Sequence, residues 1–91
     1  MVRVELFGKA RLLTGLRRVE VTAPENPDPG EVVALLAHIC PQLVGHVILE
    51  DLGSLEASYT FNLNGTAFVG EEELRLTEGD SLLLFSSQAG G

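Results

Sequence analysis

Hydrophobic and polar residues alternate along two segments near the start of the chain, Val2 to Phe7 and Leu16 to Thr22. A period of two residues predicts β-strands with one buried face. Gly8 and Gly15 bracket the residues between the two segments, and glycines so far apart indicate a wide loop rather than a tight turn. We therefore expect a β-hairpin whose inward positions are Val2, Val4, Leu6, Val19 and Val21.

After a proline-containing crossover at residues 23–27, the apolar residues change to a helical period. Asp28 is a favourable N-cap, Pro29 suits the first helical position, and Glu31 completes a capping box. Pro41 is expected to end the helix. The predicted helix packs on the sheet through an apolar stripe formed by Val32, Leu35, Leu36, Ile39 and Cys40.

The second half of the chain contains two further strand segments and two turn signals. Alternation predicts a strand over Tyr59–Leu63, and Asn64-Gly65 is a strong two-residue hairpin turn leading into residues 66–69. Glu78-Gly79-Asp80 predicts another turn. The apolar run Leu82–Phe85 then predicts a last strand that is buried on both faces, as a central strand is.

Residues 42–58 show no clear period and could either cover a sheet edge or form a short strand. The order β-β-α-β-(β)-β predicts an α+β roll in which one main helix packs on a mixed sheet of about four to five strands. We expect a single domain over residues 1–91, with residues 86–91 as a flexible functional tail.

Charge and composition narrow the possible partners and location. The chain has 13 acidic and 6 basic residues, a formal net charge of −7, which disfavours nucleic acid and anionic membranes because both require a cationic surface. No signal peptide is recognisable, and no apolar run approaches the ~18 residues of a membrane span. Cys40 is the only cysteine, so an internal disulfide is impossible. We expect a cytoplasmic protein.

Groups that could carry out catalysis are sparse. His38 is expected on the solvent face of the helix, and His46 lies in an irregular segment; neither has a second ligand at metal-binding spacing. Cys40 is better explained as a small buried hydrophobic residue than as a nucleophile. We therefore expect no metal and no bound cofactor, and no enzymatic activity of this chain by itself.

The end of the sequence, Ala89-Gly90-Gly91, is the remaining candidate for chemistry. No charged side chain follows Asp80, and residues 86–91 can reach ~20 Å if extended. Glycine lacks Cβ, so Gly90 and Gly91 can enter a channel too narrow for any other residue. ATP-dependent adenylation would activate the Gly91 carboxylate, and a sulfur nucleophile could displace AMP to leave a thiocarboxylate. A frayed terminus or cloning scar is the alternative explanation.

Taken together, these segments resemble the ubiquitin-like sulfur carriers (the MoaD/ThiS group), and most closely the small subunit of molybdopterin synthase. The resemblance runs nearly from end to end of the chain. Its most specific part is the Glu-Gly-Asp turn placed before an apolar strand and a terminal Gly-Gly. The matching segments are the first strand as far as Leu6-Phe7, the loop that begins with Lys9-Ala10-Arg11 and ends with Thr14-Gly15, the helix, Asn64-Gly65, Leu76–Asp80 and Gly90-Gly91.

The resemblance implies a β-grasp fold whose last strand is central and parallel to the first. It implies that an E1-like enzyme adenylates Gly91 with ATP, that Gly91 becomes a thiocarboxylate, and that Gly90 fits the channel. The tail would insert into the large subunit of molybdopterin synthase and deliver sulfur to precursor Z. Phe7 or Phe85 could contact that partner, although core packing is the expected role of both.

Two departures from the closest match leave the pathway open. The tail has Ser86-Ser87-Gln88-Ala89 where the family's small subunits often carry prolines, and residues 45–58 are longer than a minimal member needs. The alternatives are a carrier for thiamine, cysteine or tRNA sulfur transfer and a ubiquitin-like modifier joined to lysines of other proteins. A small interaction domain whose tail is incidental is a third reading.

Overall fold

Five strands pair in one mixed sheet in the computed structural model of the chain, which describes residues 2–23, 27–65, 67–68 and 80–86. The strands are β1 (Val2–Leu6), β2 (Arg18–Val21), β3 (Tyr59–Leu63), β4 (Ala67–Phe68) and β5 (Ser81–Ser86). The helices are α1 (Lys9–Thr14) and α2 (Pro29–Ile39), followed by a 3₁₀ turn over Pro41–Leu43.

The strand order across the sheet is β2-β1-β5-β3-β4, which places β5 at the centre. β1 is antiparallel to β2 and parallel to β5, and β3 is antiparallel to both β5 and β4. The first two strands therefore form the predicted hairpin, and the last strand lies beside the first. A mixed sheet with a central last strand and a helix across one face is the β-grasp, or ubiquitin-like, fold, as expected.

The hydrophobic core lies between α2 and one face of the sheet. The inward residues of both hairpin strands are buried as the alternation predicts, and Arg18 and Glu20 are exposed between them. Burying each such side chain stabilises the fold by roughly 1.5–3 kcal/mol. The largest fully buried side chains come from the strands, from α2 and from the segment after it, and include Val4, Leu6, Val21, Val32, Leu36, Leu43, Val47, Ile48, Leu82 and Leu84.

The start of α2 confirms the predicted capping box. The Glu31 amide donates to Asp28 Oδ1 at 2.8 Å, and the Asp28 amide donates to Glu31 Oε1 at 3.2 Å. These bonds satisfy two amides that the helix itself leaves without acceptors. The helix ends at Ile39 with Cys40 as its C-cap, and Pro41 begins the 3₁₀ turn, so the predicted end is also confirmed.

The buried face of α2 differs in part from the predicted stripe. Val33 and Ala37 are buried, whereas Ile39 is 46% exposed. The row that faces the sheet runs through positions 32, 33, 36, 37 and 40, so Ile39, at the last turn, points away from it. The prediction gave weight to large apolar side chains, and therefore overlooked the small Ala37.

The segment between Gly8 and Gly15 was predicted as a loop, and this prediction is wrong because it contains α1. Ala10 is fully buried, which anchors the short helix against the core. Gly15 ends the helix in a left-handed conformation with φ of 71°, and its amide donates to Arg11 O at 2.8 Å. Six residues are too few for a helical period to stand out from the sequence.

Residues 41–58 form neither a regular strand nor a helix beyond the 3₁₀ turn. Isolated bridges join Val44 to Ile48 and Ile48 to Leu55. The Leu49 amide donates to Ser54 O at 2.9 Å and closes a tight loop. The segment contributes Leu43, Val47 and Ile48 to the core, so its apolar residues extend the core instead of pairing along an edge.

Two predictions for the later strands are confirmed with changes. Asn64 and Gly65 both have positive φ, 55° and 76°, as a hairpin turn of this type requires. The register places Leu63 opposite Ala67, so the loop between the two strands has three residues, 64–66, instead of the predicted two. In β5, Leu82 and Leu84 are buried but Leu83 and Phe85 are only partly so, which corrects the expected burial on both faces.

Several predicted features lie outside the described residues. They are residues 24–26 of the crossover, the two ends of the strand predicted over residues 66–69, and residues 70–79, which include most of the Glu-Gly-Asp turn. The same holds for the tail from residue 87 onward, including Gly90 and Gly91. None of the helices within the described ranges is long and apolar enough to cross a membrane.

We predict that Asp28→Ala lowers the free energy of unfolding by about 1 kcal/mol, because it removes the side-chain acceptor of the Glu31 amide and leaves that amide only its longer bond to Asp28 O. Urea unfolding followed by circular dichroism measures the change. Glu50→Ala is the matched control, since Glu50 is exposed and the substitution removes the same charge. An equal effect of the two substitutions would contradict a stabilising role of the capping box.

Candidate functional site

Strand β5 carries the chain toward the candidate tail, and it is bonded to a neighbour on each side. Leu82, Leu83 and Leu84 lie opposite residues 4–6 of β1 on one side and opposite residues 61–63 of β3 on the other. Leu82 and Leu84 are fully buried beneath α2. The strand therefore cannot shift along its axis without breaking two ladders and exposing two leucines.

The pairing continues to the last residue of β5. The Phe7 amide donates to Leu84 O at 3.1 Å, and Ser86 lies opposite Tyr59 of β3. The point at which the chain leaves the sheet is thereby fixed. Residues 87–91 lie outside the described residues, and five residues can extend to at most ~17 Å from that point.

The start of β5 is fixed by the side chain of Asn64. Its Nδ2 donates to Asp80 Oδ1 at 3.0 Å, and its Oδ1 accepts from the Ser81 amide at 2.8 Å. The Asn64 amide also donates to Ser81 O at 2.8 Å. The Asn-Gly turn and the last residue of the Glu-Gly-Asp turn are thus bonded to each other, although sixteen positions separate Asn64 from Asp80.

Phe7 and Arg11 lie beside the end of β5. Phe7 is 37% exposed, which corrects the expectation that it packs in the core. The Arg11 guanidinium carbon lies 5.2 Å from the centre of the Phe7 ring, within the range of a cation–π interaction. Arg11 Nε donates to Leu6 O at 3.1 Å, so the guanidinium is held over the ring. One turn further, Leu12 is 84% exposed.

This group of residues was not predicted from the sequence, because residues 9–14 were expected to form a loop. Phe7 directly follows β1 and its buried last residue, Leu6, so continued alternation would turn Phe7 away from the core. The signal that could have revealed the helix is the pair Ala10 and Leu13, three residues apart between two glycines. With a helix there, Arg11 stands one residue after the buried Ala10 and within reach of Phe7.

Charge is distributed very unevenly between the two parts of the chain. Residues 1–18 contain five of the six basic residues and one of the thirteen acidic residues, for a formal net charge of +4. Residues 19–91 contain the others, for a formal net charge of −11. The cationic part holds β1, α1 and the start of β2, which form one side of the sheet. Along the sequence, positive charge is therefore concentrated in residues 1–18 rather than mixed evenly with the acidic residues.

The other sequence-predicted residues do not assemble into a site. His38 and His46 are exposed on separate elements, and the described residues hold no group of three His, Cys, Asp or Glu side chains that could bind a metal. Cys40 is buried, as predicted, and desolvation raises the pKa of its thiol. The predicted working residues, Gly90 and Gly91, lie outside the described residues and stay a prediction.

The described geometry defines a ubiquitin-like β-grasp domain in which a central strand leads to the tail. Comparison with solved structures agrees. SAMP1 from Haloferax volcanii superposes with a TM-score of 0.79 at 27% identity, over 99% of this chain and 98% of that one. A second crystal structure, that of small archaeal modifier protein 1 from H. volcanii, superposes with a TM-score of 0.75 at 27% identity, over 93% of this chain and 94% of that one.

A more distant structure shows the same fold. CysO from Amycolatopsis orientalis, in its complex with BexX, superposes with a TM-score of 0.69 at 21% identity over the full length of both chains. No protein-family model and no curated protein matches the sequence. The likeness therefore rests on structure, and it extends over at least 93% of this chain and of each protein compared.

We predict that Asn64→Ala lowers the free energy of unfolding by about 2 kcal/mol, because it removes two side-chain hydrogen bonds and places alanine at a positive φ. Asn64→Gly, which also loses the bonds but tolerates the conformation, should lose only about half as much. Urea unfolding measures both. A loss of less than a few tenths of a kcal/mol in both variants would show that Asn64 does not hold the start of β5.

We predict that Cys40 reacts with iodoacetamide at least about tenfold more slowly in the folded protein than in urea, because burial limits access and the raised pKa lowers the thiolate fraction at pH 8. Mass spectrometry of quenched samples gives both rates. Free cysteine in the same urea concentration controls for the reagent. Equal rates in the folded and unfolded protein would contradict the burial of this thiol.

Proposed function

We propose that this chain is a ubiquitin-like sulfur carrier that works through the carboxylate of Gly91. An E1-like partner would join this carboxylate to the α-phosphate of ATP and release pyrophosphate, giving an acyl-adenylate. A sulfur nucleophile would then displace AMP, and the resulting thiocarboxylate would donate its sulfur to an acceptor. In this mechanism ATP belongs to the activating partner, and this chain itself binds no cofactor.

The observation that carries the proposal is the anchoring of β5 up to Ser86 by both neighbouring strands. A fixed exit point and a tail of at most ~17 Å would let the body of the domain dock on a partner while the carboxylate reaches a separate active site. Gly90 and Gly91 add no side chain, so the tail would fit a narrow channel. Because the folded domain is already ordered, less conformational entropy would be lost when it docks and places the tail in the partner.

Molybdopterin synthesis is the pathway that the sequence resemblance favours, with this chain as the small subunit of molybdopterin synthase. The large subunit would then be the partner that receives the tail. Similarity to CysO, which was crystallised with BexX, supports only a shared fold at 21% identity. Sulfur transfer to another acceptor, in thiamine, cysteine or tRNA modification, would use the same tail chemistry.

A second function, protein modification, is favoured by the similarity to small archaeal modifier protein 1 at 27% identity. In that case the activated Gly91 would form an isopeptide bond with a lysine amine of another protein. Both functions begin with the same adenylation, and they differ in whether sulfur or nitrogen displaces AMP. Activation of the Gly91 carboxylate is therefore the step that both functions share.

We predict that incubation of this chain with an E1-like activating enzyme, ATP and a sulfur donor raises its intact mass by about 16 Da, the exchange of one oxygen for sulfur. Deleting Gly91 should abolish the gain, because the carboxylate would end one residue short of the activating site. Gly90→Ala should slow it at least about tenfold, because a Cβ would obstruct the channel.

Glu50→Ala is the matched control, since Glu50 is exposed in the segment between the 3₁₀ turn and β3 and its loss should leave the gain unchanged. The enzyme should be the one that copurifies with the tagged chain or is encoded beside it. An unchanged mass, with Gly91 intact and the enzyme active in ATP–pyrophosphate exchange, would overturn the proposal. Capture of a molybdopterin synthase large subunit by the same tagged chain would identify the pathway.

A further inference from the structure

The chain contains five arginines but a single lysine, Lys9. This matters for a protein with an activated carboxylate, because a lysine amine can attack an acyl group whereas a guanidinium stays protonated and does not. The only thiol, Cys40, is buried, and its raised pKa further lowers its thiolate fraction. Lys9 is therefore the one strongly nucleophilic side chain that the surface offers.

Lys9 lies at the end of the sheet from which the chain leaves β5. It is the first residue of α1, two positions after Phe7, whose amide bonds Leu84 O of β5. Lys9 is exposed, and a Cβ added at the preceding Gly8 would meet no described atom within 4 Å. Leu12, one turn further along α1, is also exposed. An incoming peptide would therefore find an open amine with an apolar side chain beside it.

The charge distribution favours a second copy of the chain as the incoming molecule. Lys9 stands in the part with a net charge of +4, and the part that leads to the tail has a net charge of −11. In an encounter between two copies, the acidic residues 19–91 of one chain would be attracted to the cationic residues 1–18 of the other. Such complementarity raises the rate of encounter and selects the orientation.

We propose that Lys9 is the acceptor amine through which copies of this chain are joined, by an isopeptide bond from Gly91 of one copy to Lys9 of the next. This inference rests on the proposed activation of Gly91. The Lys9 nitrogen attacks the carbonyl carbon of the acyl-adenylate, the bond from that carbon to the phosphate oxygen breaks, AMP leaves with the electron pair, and the amine releases one proton to water. ATP supplies the activation, and no oxidant or reductant is needed.

The test uses the full chain with its activating enzyme and ATP, without a sulfur donor. We expect covalent dimers and longer species, and a branched tryptic peptide in which residues 4–11 carry residues 76–91 on Lys9. Lys9→Arg keeps the charge and removes the nucleophile, so it should lower the yield of linked species at least about tenfold. With a sulfur donor present, Lys9→Arg should still gain about 16 Da, which separates this inference from the carrier function.

A double variant, Lys9→Arg with Arg17→Lys, moves the single lysine to another exposed position of the same cationic part. We expect linkage at position 17 to be at least about fivefold slower than at position 9, and linkage at position 9 to slow by a similar factor between about 50 mM and about 500 mM NaCl.

Three results would overturn the inference while Gly91 is still activated. The first is linkage at the amino terminus instead of Lys9. The second is a monomer lighter by one water, which would show that Gly91 has joined Lys9 of its own chain. The third is linkage at position 17 of the double variant that is as fast as linkage at position 9 of the wild type. A failure of activation itself would appear as absent ATP–pyrophosphate exchange with the wild-type chain, and would count against the proposed function instead.

Discussion

The pairing of β5 between β1 and β3 is the constraint on which the rest of the structure depends. Without it the sheet would separate into the β1–β2 and β3–β4 hairpins, and an isolated hairpin is marginally stable at best in water. The parallel pairing joins residues 3–6 to residues 81–84, so the core closes only when nearly the whole chain has come together. Leu82 and Leu84 make that closure favourable because both become fully buried under α2.

This arrangement separates the tasks of the two ends of β5. At its start, the Asn64 side chain bonds both Asp80 and the Ser81 amide, so the chain enters the strand at a defined point. At its end, Phe7 and Tyr59 flank the last paired residues, so it leaves at a defined point as well. Under the proposed function, such a domain would contribute no catalytic side chain, because its task would be to position a segment for chemistry supplied by another protein.

The fold was largely predictable because its main signals are local and agree with one another. Alternation identified β1, β2 and β3, a continuous apolar run identified β5, and the capping box at Asp28 set the start of α2. The failures also have local causes. The six residues of α1 are shorter than two helical turns, and residues 41–58 are held by isolated bridges and by burial, which leave no period in a sequence. The position of Phe7 beside Arg11 depends on α1 and could not be predicted without it.

The excess of arginine over lysine is explained better by the proposed activation of Gly91 than by solubility alone. Arginine and lysine carry the same charge, so a purely electrostatic requirement would not prefer five of one and a single copy of the other. A protein that carries an activated acyl group loses it whenever an amine or thiol nearby attacks the carbonyl. Burying Cys40 and using arginine at four of the five cationic positions in residues 1–18 would limit such losses, and the amine that is retained stands at the end of the sheet where the tail begins. Its position, more than its rarity, is what would give Lys9 the proposed role.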